Sequence, residues 1–389
     1  MAVSFHQVMQ KIQSITSTAL EDQHKLNDRR NLAREWLKKH SFQFELSKRI
    51  VKLAVENDPL LKCALPISEP LDHSTPLPTL SKVPTLIAAD GSQVNPDRHS
   101  QIMFSLVNIG LIAMRPGTGE VSKTYTFSDL KHGDELYLDS SLISEDMVSL
   151  QRDLAERQML LEISSEFQGP ILTLTDGPLE IWGLRSGFSD YYRRALQTHI
   201  DVLDRMAAKE VVLAGIVDKP GANPMVRLLE IMEAKQEDLK NIRHFSPLRG
   251  VDDRWLFQFL PPGARSAVFG LQSSARNYYK GLHALHFFYL NTSLDDHPWI
   301  IRVEIPAWVA DKKDSLDMLH TSLIDQCRIM GHKPYPYILH RAHEVAVVSF
   351  QDKEYIEQLL AHEFMASGME LGEISSKKSA KDLAGRLSN

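Results

Sequence analysis

Two aspartates in this chain each close an apolar run and each precede a glycine: Asp90 in "TLIAADGSQV" and Asp176 in "ILTLTDGPLE". Carboxylates brought close together repel unless a cation lies between them, and a hard divalent ion such as Mg²⁺ or Mn²⁺ takes oxygen ligands of this kind. A third acid comes from the helical pattern "SLQRDLAERQMLLEISSEF", which offers Glu156 and Glu162; Glu156 follows Arg152 by four residues, so both can face one side. Near the C-terminus, "KPYPYILHRAHEVAVV" gathers Tyr335, Tyr337, His340, Arg341, His343 and Glu344, and histidine there could serve as ligand or proton donor. Each group has a plainer reading. Asp-Gly marks tight hairpins, a lone helical glutamate is usually solvated, and a histidine or tyrosine beside an apolar run is usually packing.

Elements must place these residues, and their pattern is that of a mixed α/β sheet. Residue Gly91 is followed by polar "SQVNPDRHS" and then apolar "IMFSLVNIGLIAM", which disfavours a two-residue hairpin. After Gly177 comes a long helix-like segment, which suggests a strand feeding a crossover. Both aspartates would then sit at strand ends, where α/β proteins place ligand sites. The spacing predicts strands over 85–90, 102–114, about 120–128, 170–176, 210–220 and 298–309, with helices over 143–167, 188–208 and the last apolar-periodic stretch. Residues 1–83 read as a helical arm and a Pro/Ser-rich linker, 84–365 as the main domain with a β-rich insertion at about 245–297, and 366–389 as a polar tail.

Composition narrows the class. The chain has 389 residues, 43% hydrophobic and 24% charged, and a net charge of −6, so no global basic field advertises nucleic acid. Affinity for DNA would have to be local. Candidates are Arg185, Arg193, Arg194, Arg243, Arg249, Arg265 and Arg276, interleaved with Phe188, Tyr191, Tyr192, Tyr278 and Tyr279, although most such residues are ordinary surface or core. Two cysteines far apart disfavour zinc ribbons and disulfide scaffolds, and with no long apolar segment the expectation is a cytoplasmic protein. No P-loop, GxGxxG turn, GxSxG elbow or HExxH stands in the sequence.

Six motifs in order resemble the NurA nuclease family: "AADGSQ" at 88–93, "RDLAE" at 152–156, "LTDGPLE" at 174–180, "LAGIVDKP" at 213–220, "IIRVEIPAWV" at 300–309 and "YPYILHRAHEVAVV" at 335–348. The resemblance implies an RNase H-like mixed β-sheet flanked by helices. It implies a 5′ to 3′ DNA nuclease, dimeric and dependent on Mn²⁺ or Mg²⁺, that works with a hexameric HerA-type ATPase in end processing, repair or defence. Carried over by position, it assigns Asp90, Glu156, Asp176 and His343 to two metal ions and adds Tyr335 as a catalytic residue, with Tyr337 and Glu162 as nearby alternatives. Lys219, Arg152 and Arg341 are then the expected DNA contacts. Asp90 would bridge ions roughly 3.5–4 Å apart, the usual spacing in two-metal phosphodiesterases. On this reading Gly91 and Gly177 lack a Cβ so that the scissile backbone can come close. Two other classes compete: a non-catalytic adaptor that docks a ring ATPase, and an actin-like ATPase, which would want a second glycine-rich phosphate turn.

Overall fold

The structure is a computed structural model that describes residues 3–79, 82–138, 140–181, 190–332 and 334–368. The expected DNA contacts Arg185 and Phe188 and most of the polar tail lie outside the described residues. The chain divides into two compact units, each assembled from separate stretches: Met1–Thr79 with Ile216–Pro334, and Leu80–Gly215 with Tyr335–Asn389.

The second unit holds the acidic motifs and is a mixed sheet with helices. Its strands are β1 (Thr85–Val94), β2 (Phe104–Met114), β3 (Lys123–His132), β4 (Ile171–Asp176) and β5 (Val212–Val217, whose first four residues belong to this unit), in the order β5-β4-β1-β2-β3. Neighbours β1, β2 and β3 run antiparallel, whereas β4 lies parallel to β1, as a strand reached through a helical crossover must. That crossover is α1 (Glu145–Ser164), and α2 (Asp190–Ala208), α3 (Tyr337–Ala346) and α4 (Phe350–Ala366) complete the unit. Central strands β1 and β4 are covered on both faces: Leu86, Ile87, Ala88, Ala89, Leu172 and Leu174 are all buried, as are the hydrogen-bonded Thr173 and Thr175. Strand β3, at the edge, is mostly exposed along its length.

Local chemistry sets the helix ends. The Ser144 side chain accepts from the amide of Met147 at the start of α1, with Glu145 and Asp146 in its first turn favouring the positive end of the dipole. Ser349 and Asp352 form a capping box at the start of α4, whose Ile356 and Leu360 pack on Val94, Phe104 and Leu106. Two residues dock α3 onto the sheet by its last carbonyl: Ser92 Oγ donates to Ala346 O at 2.5 Å and Asn108 Nδ2 to the same oxygen at 2.8 Å.

In the first unit, Cys63–Pro66, Phe269–Gln272, Leu285–Asn291 and Ile300–Pro306 form an antiparallel sheet in that order, and Ser74–Thr75 pairs with Arg265–Ser266. The strand Ser74–Thr75 and the fully buried Leu71 lie inside the stretch read from sequence as a linker. Short strands completed by residues some 200 positions later leave little local periodicity to read. The core is aromatic, with Phe257 stacked on Tyr289 at 4.4 Å between ring centroids.

Candidate metal-binding site

Strand β1 does not end at Asp90, as the sequence suggested; it runs on to Val94, and Asp90 lies mid-strand opposite Gly110 of β2. Alternation then sends neighbouring residues to opposite faces. Asp90 meets α3, where Nδ1 of His343 lies 2.6 Å from Asp90 Oδ2, a spacing at which the imidazole N–H donates to the carboxylate. Gly91 meets α1. A Cβ there would lie 2.5 Å from Arg152 Cγ and 2.8 Å from Glu156 Oε1, so this glycine makes room for the helix side chains and not, as the sequence suggested, for a substrate backbone.

Gly110 explains how α3 comes so near. A Cβ on it would stand 2.5 Å from the amide nitrogen of Ala346 and 2.8 Å from the carbonyl of Ala342. The helix backbone therefore rests on the bare strand directly across from Asp90 and carries His343 to the carboxylate. His343 remains 63% exposed at its side chain, open to a substrate, against 16% for Asp90.

Glu156 is 4% exposed and sits under Gly91. Thr175 Oγ1 donates to its Oε2 at 3.0 Å, while Arg152 Nε lies 3.6 Å from Oε1 and Arg157 Nη1 3.5 Å from Oε2. The expected shared face of Arg152 and Glu156 is thus present. Burial pushes the Glu156 carboxyl up to about 8; Arg157 and Arg152 oppose the shift, and the charges of Asp153 and Asp90 add to it. Arg152, whose burial works against its charge, is held above its ordinary range by Asp153, Glu156 and Asp90 together. Asp153, which the sequence reading did not single out, is therefore a member of this acidic group, and its place one turn before Glu156 within "RDLAE" was the available signal.

Asp176 ends β4, exposed, on the rung after the Ala89–Thr175 pair and hence level with Asp90. Gly177 follows at φ +89°, a conformation only glycine adopts readily, with nothing near its missing Cβ. The turn lies against β5, where a Cβ on Gly215 would stand 2.5 Å from Gly177 O. Glu162, the alternative to Glu156, is exposed further along α1. Tyr335 precedes α3 and Tyr337 is its first residue, both half-buried.

The expected DNA contacts are placed variously. Arg341 pairs with Glu344 on its own helix, and Arg152 is engaged with Asp153 and Glu156. Lys219 belongs to the first unit, exposed, with its ammonium 5.9 Å from the Trp299 ring centroid. Tyr192 and Tyr279 are core residues, and Arg265 is buried in a fork with Glu69, so these three are removed from the surface set.

The donors fit a hard divalent cation in kind: three carboxylates and an imidazole, with a buried Glu156 carboxyl whose charge its neighbours Asp90 and Asp153 disfavour and a cation would favour. Among the described residues no group of three or more His, Cys, Asp or Glu side chains stands close enough together to hold a metal ion. No helix of the described residues is long and apolar enough to cross a membrane.

A mixed sheet whose central strand carries an acid, with helices against both of its faces, is the RNase H-like α/β class. The family model described as the NurA domain matches residues 84–348, more than half of the chain, and the chain belongs to the NurA nuclease family. Among solved structures it is similar to the NurA nuclease from Sulfolobus solfataricus, with 15% identity, a TM-score of 0.48 and coverage of 85% of this chain and 98% of that one. It is also similar to the catalytic domain of human endonuclease V (12% identity, TM-score 0.32, covering 72% of this chain and 85% of that one). An endonuclease V from Bacillus subtilis matches with 13% identity and a TM-score of 0.33, over 76% of this chain and 88% of that one. No curated protein matches the chain.

Proposed function

We propose that the chain is a metal-dependent deoxyribonuclease that trims DNA ends 5′ to 3′ in the cytoplasm, as a homodimer and in partnership with a HerA-type hexameric ATPase. One observation carries the reading: in a chain of this family, Asp90 stands between His343 on one face of the sheet and the Glu156 group on the other, hydrogen-bonded to the first and charge-coupled to the second.

Asp90, Glu156, Asp176 and His343 are the residues that would hold Mn²⁺ or Mg²⁺, as two ions. When bound, the metal supplies a hydroxide-like nucleophile near neutral pH and charge stabilisation for the leaving 3′ oxygen. The chain does the rest. By accepting from Nδ1, the aspartate orients the imidazole of His343 so that Nε2, on an exposed side chain, can hold an ion where a phosphodiester reaches it. Arg152 and Arg157 limit the repulsion within the acidic group before any cation arrives. Tyr335, just ahead of α3, is assigned to the substrate side of that helix, and the exposed Lys219 and Arg341 to phosphate. With a net charge of −6 the chain depends on such local cations, and on a motor that delivers the strand.

The test is digestion of end-labelled linear DNA with Mn²⁺, Mg²⁺ or EDTA, with and without the cognate ATPase, comparing wild type and Asp90→Ala. Cleavage that needs metal and is lost in the variant is the expected result. No cleavage in any condition would replace the nuclease with a non-catalytic adaptor.

A further inference from the structure

Arg157 follows Glu156 on α1 and is 2% exposed. Adjacent residues on a helix point in different directions. Yet its guanidinium folds back to bring Nη1 within 3.5 Å of Glu156 Oε2, while the same nitrogen donates to the carbonyl of Asp153 at 2.8 Å. Its other arm, Nη2, donates to the carbonyl of Pro178 at 3.0 Å. Pro178 stands two residues beyond Asp176, past the positive-φ Gly177. A single planar fork therefore grips the helix that carries one acid and the turn that follows another.

Packing does not call for this residue. Burying a guanidinium costs desolvation that an apolar side chain of similar size would avoid, and only directed contacts offset it. Lysine would keep the charge but, as a point donor, would not span both carbonyls and the carboxylate at once. The turn it holds is restrained from the other side as well, by the bare Gly215 against Gly177 O.

We propose that Arg157 is a positioning residue: by tying Glu156 on α1 to the Asp176–Pro178 turn, it sets the spacing at which these two acids share a divalent ion. This rests on the metal-dependent reading above. Residues that orient metal ligands typically alter affinity by about 10- to 100-fold when replaced.

The experiment uses the full chain and Mn²⁺ alone, with bound metal followed by the loss of the free-ion electron paramagnetic resonance signal and folding followed by thermal melts in EDTA. Wild type, Asp90→Ala, Arg157→Lys and Arg157→Met are compared. The expected result is Mn²⁺ binding weakened roughly 10- to 100-fold in both Arg157 variants while they remain folded at the assay temperature, with lysine failing to rescue because geometry, not charge, is lost. Folded variants with wild-type Mn²⁺ affinity would overturn the assignment, and so would unfolding of both, which would make Arg157 a support of the fold alone. If wild type binds no Mn²⁺, or Asp90→Ala binds it equally well, the metal-dependent reading itself has failed, a result visible without either Arg157 variant.

Discussion

Glu156 in the second unit and Asp253 in the first are both buried carboxylates near arginines, and their surroundings differ in kind. Asp253 is 0% exposed and is wrapped in neutral donors: the amides of Met225 and Val226, at 2.9 and 2.8 Å, and the hydroxyl of Tyr289. The two amides open the helix Pro224–Glu233, where orphan N–H groups and the dipole both favour an anion. Burial still raises this carboxyl to about 6, with those hydrogen bonds and Arg302 opposing the shift. Glu156 has one hydroxyl donor and two guanidinium groups beyond ordinary hydrogen-bond length, and it shares its space with the charges of Asp153 and Asp90. A carboxylate that serves the fold is saturated by donors. One set among other carboxylates is left with a demand for positive charge, the condition a cation site requires.

The largest effect that would break this comparison is on stability. Asp253→Ala strands two helix amides and a tyrosine hydroxyl in a fully buried site, and is expected to cost about 3–5 kcal/mol in urea unfolding. Glu156→Gln keeps the shape and the neutrality that burial already favours in this carboxyl at neutral pH, so it should leave stability within about 1 kcal/mol of wild type, while DNA cleavage falls at least roughly 100-fold. Equal destabilisation by the two substitutions would erase the distinction.

The pH dependence in EDTA sharpens it. Both acids have folded-state values above their ordinary ones, so the stability each contributes is fully present below the ordinary value and is lost as pH rises through the folded one. For Asp253 that window runs from 3.8 to about 6, and for Glu156 from 4.5 to about 8. Between pH 6 and 8, therefore, the decline in the urea midpoint belongs to Glu156 and should flatten in Glu156→Gln, whereas the slope below pH 6 persists. An unchanged slope between pH 6 and 8 would mean that Glu156 ionises without strain in the folded chain.

Part of this arrangement was legible in the residues. Apolar runs located β1 and β4, and the four-residue spacing set Arg152 beside Glu156. What escaped was carried by long-range contact. Nothing near Asp90 tells that its strand continues to Val94, so its mid-strand position and the split of the site between two faces of the sheet were hidden. Gly110 reads as one small residue in "LVNIGLIAM" until α3, more than 200 positions later, is laid on it. Asp253 gives no sign in sequence that it caps a helix beginning at Pro224.

Gly110→Ala tests the α3 side of the site. Its Cβ would press on backbone atoms of Ala342, Val345 and Ala346, which cannot swing aside as a side chain can. A cost of about 1–3 kcal/mol is expected, the range for overpacking, together with loss of cleavage as His343 moves off Asp90. Gly91→Ala, by contrast, meets the flexible Arg152 side chain and Glu156, and should disturb the acidic group more than the fold. Full activity in Gly110→Ala would show that the His343 contact is dispensable.

The smallest effect is expected at Arg341, whose guanidinium pairs with Glu344 three residues along the same exposed helix face. Such pairs contribute about 0.5 kcal/mol or less, because solvent screens them and both side chains lose freedom in making them. Arg341→Gln should therefore leave the urea midpoint almost unmoved. If this arginine also reaches a phosphate, DNA binding by the variant weakens alike for every sequence and its dependence on salt becomes shallower by about one ion. Measured across a salt series beside Glu156→Gln, that slope separates a residue that holds DNA from one that holds metal: the glutamine variant should lose cleavage with its salt slope intact.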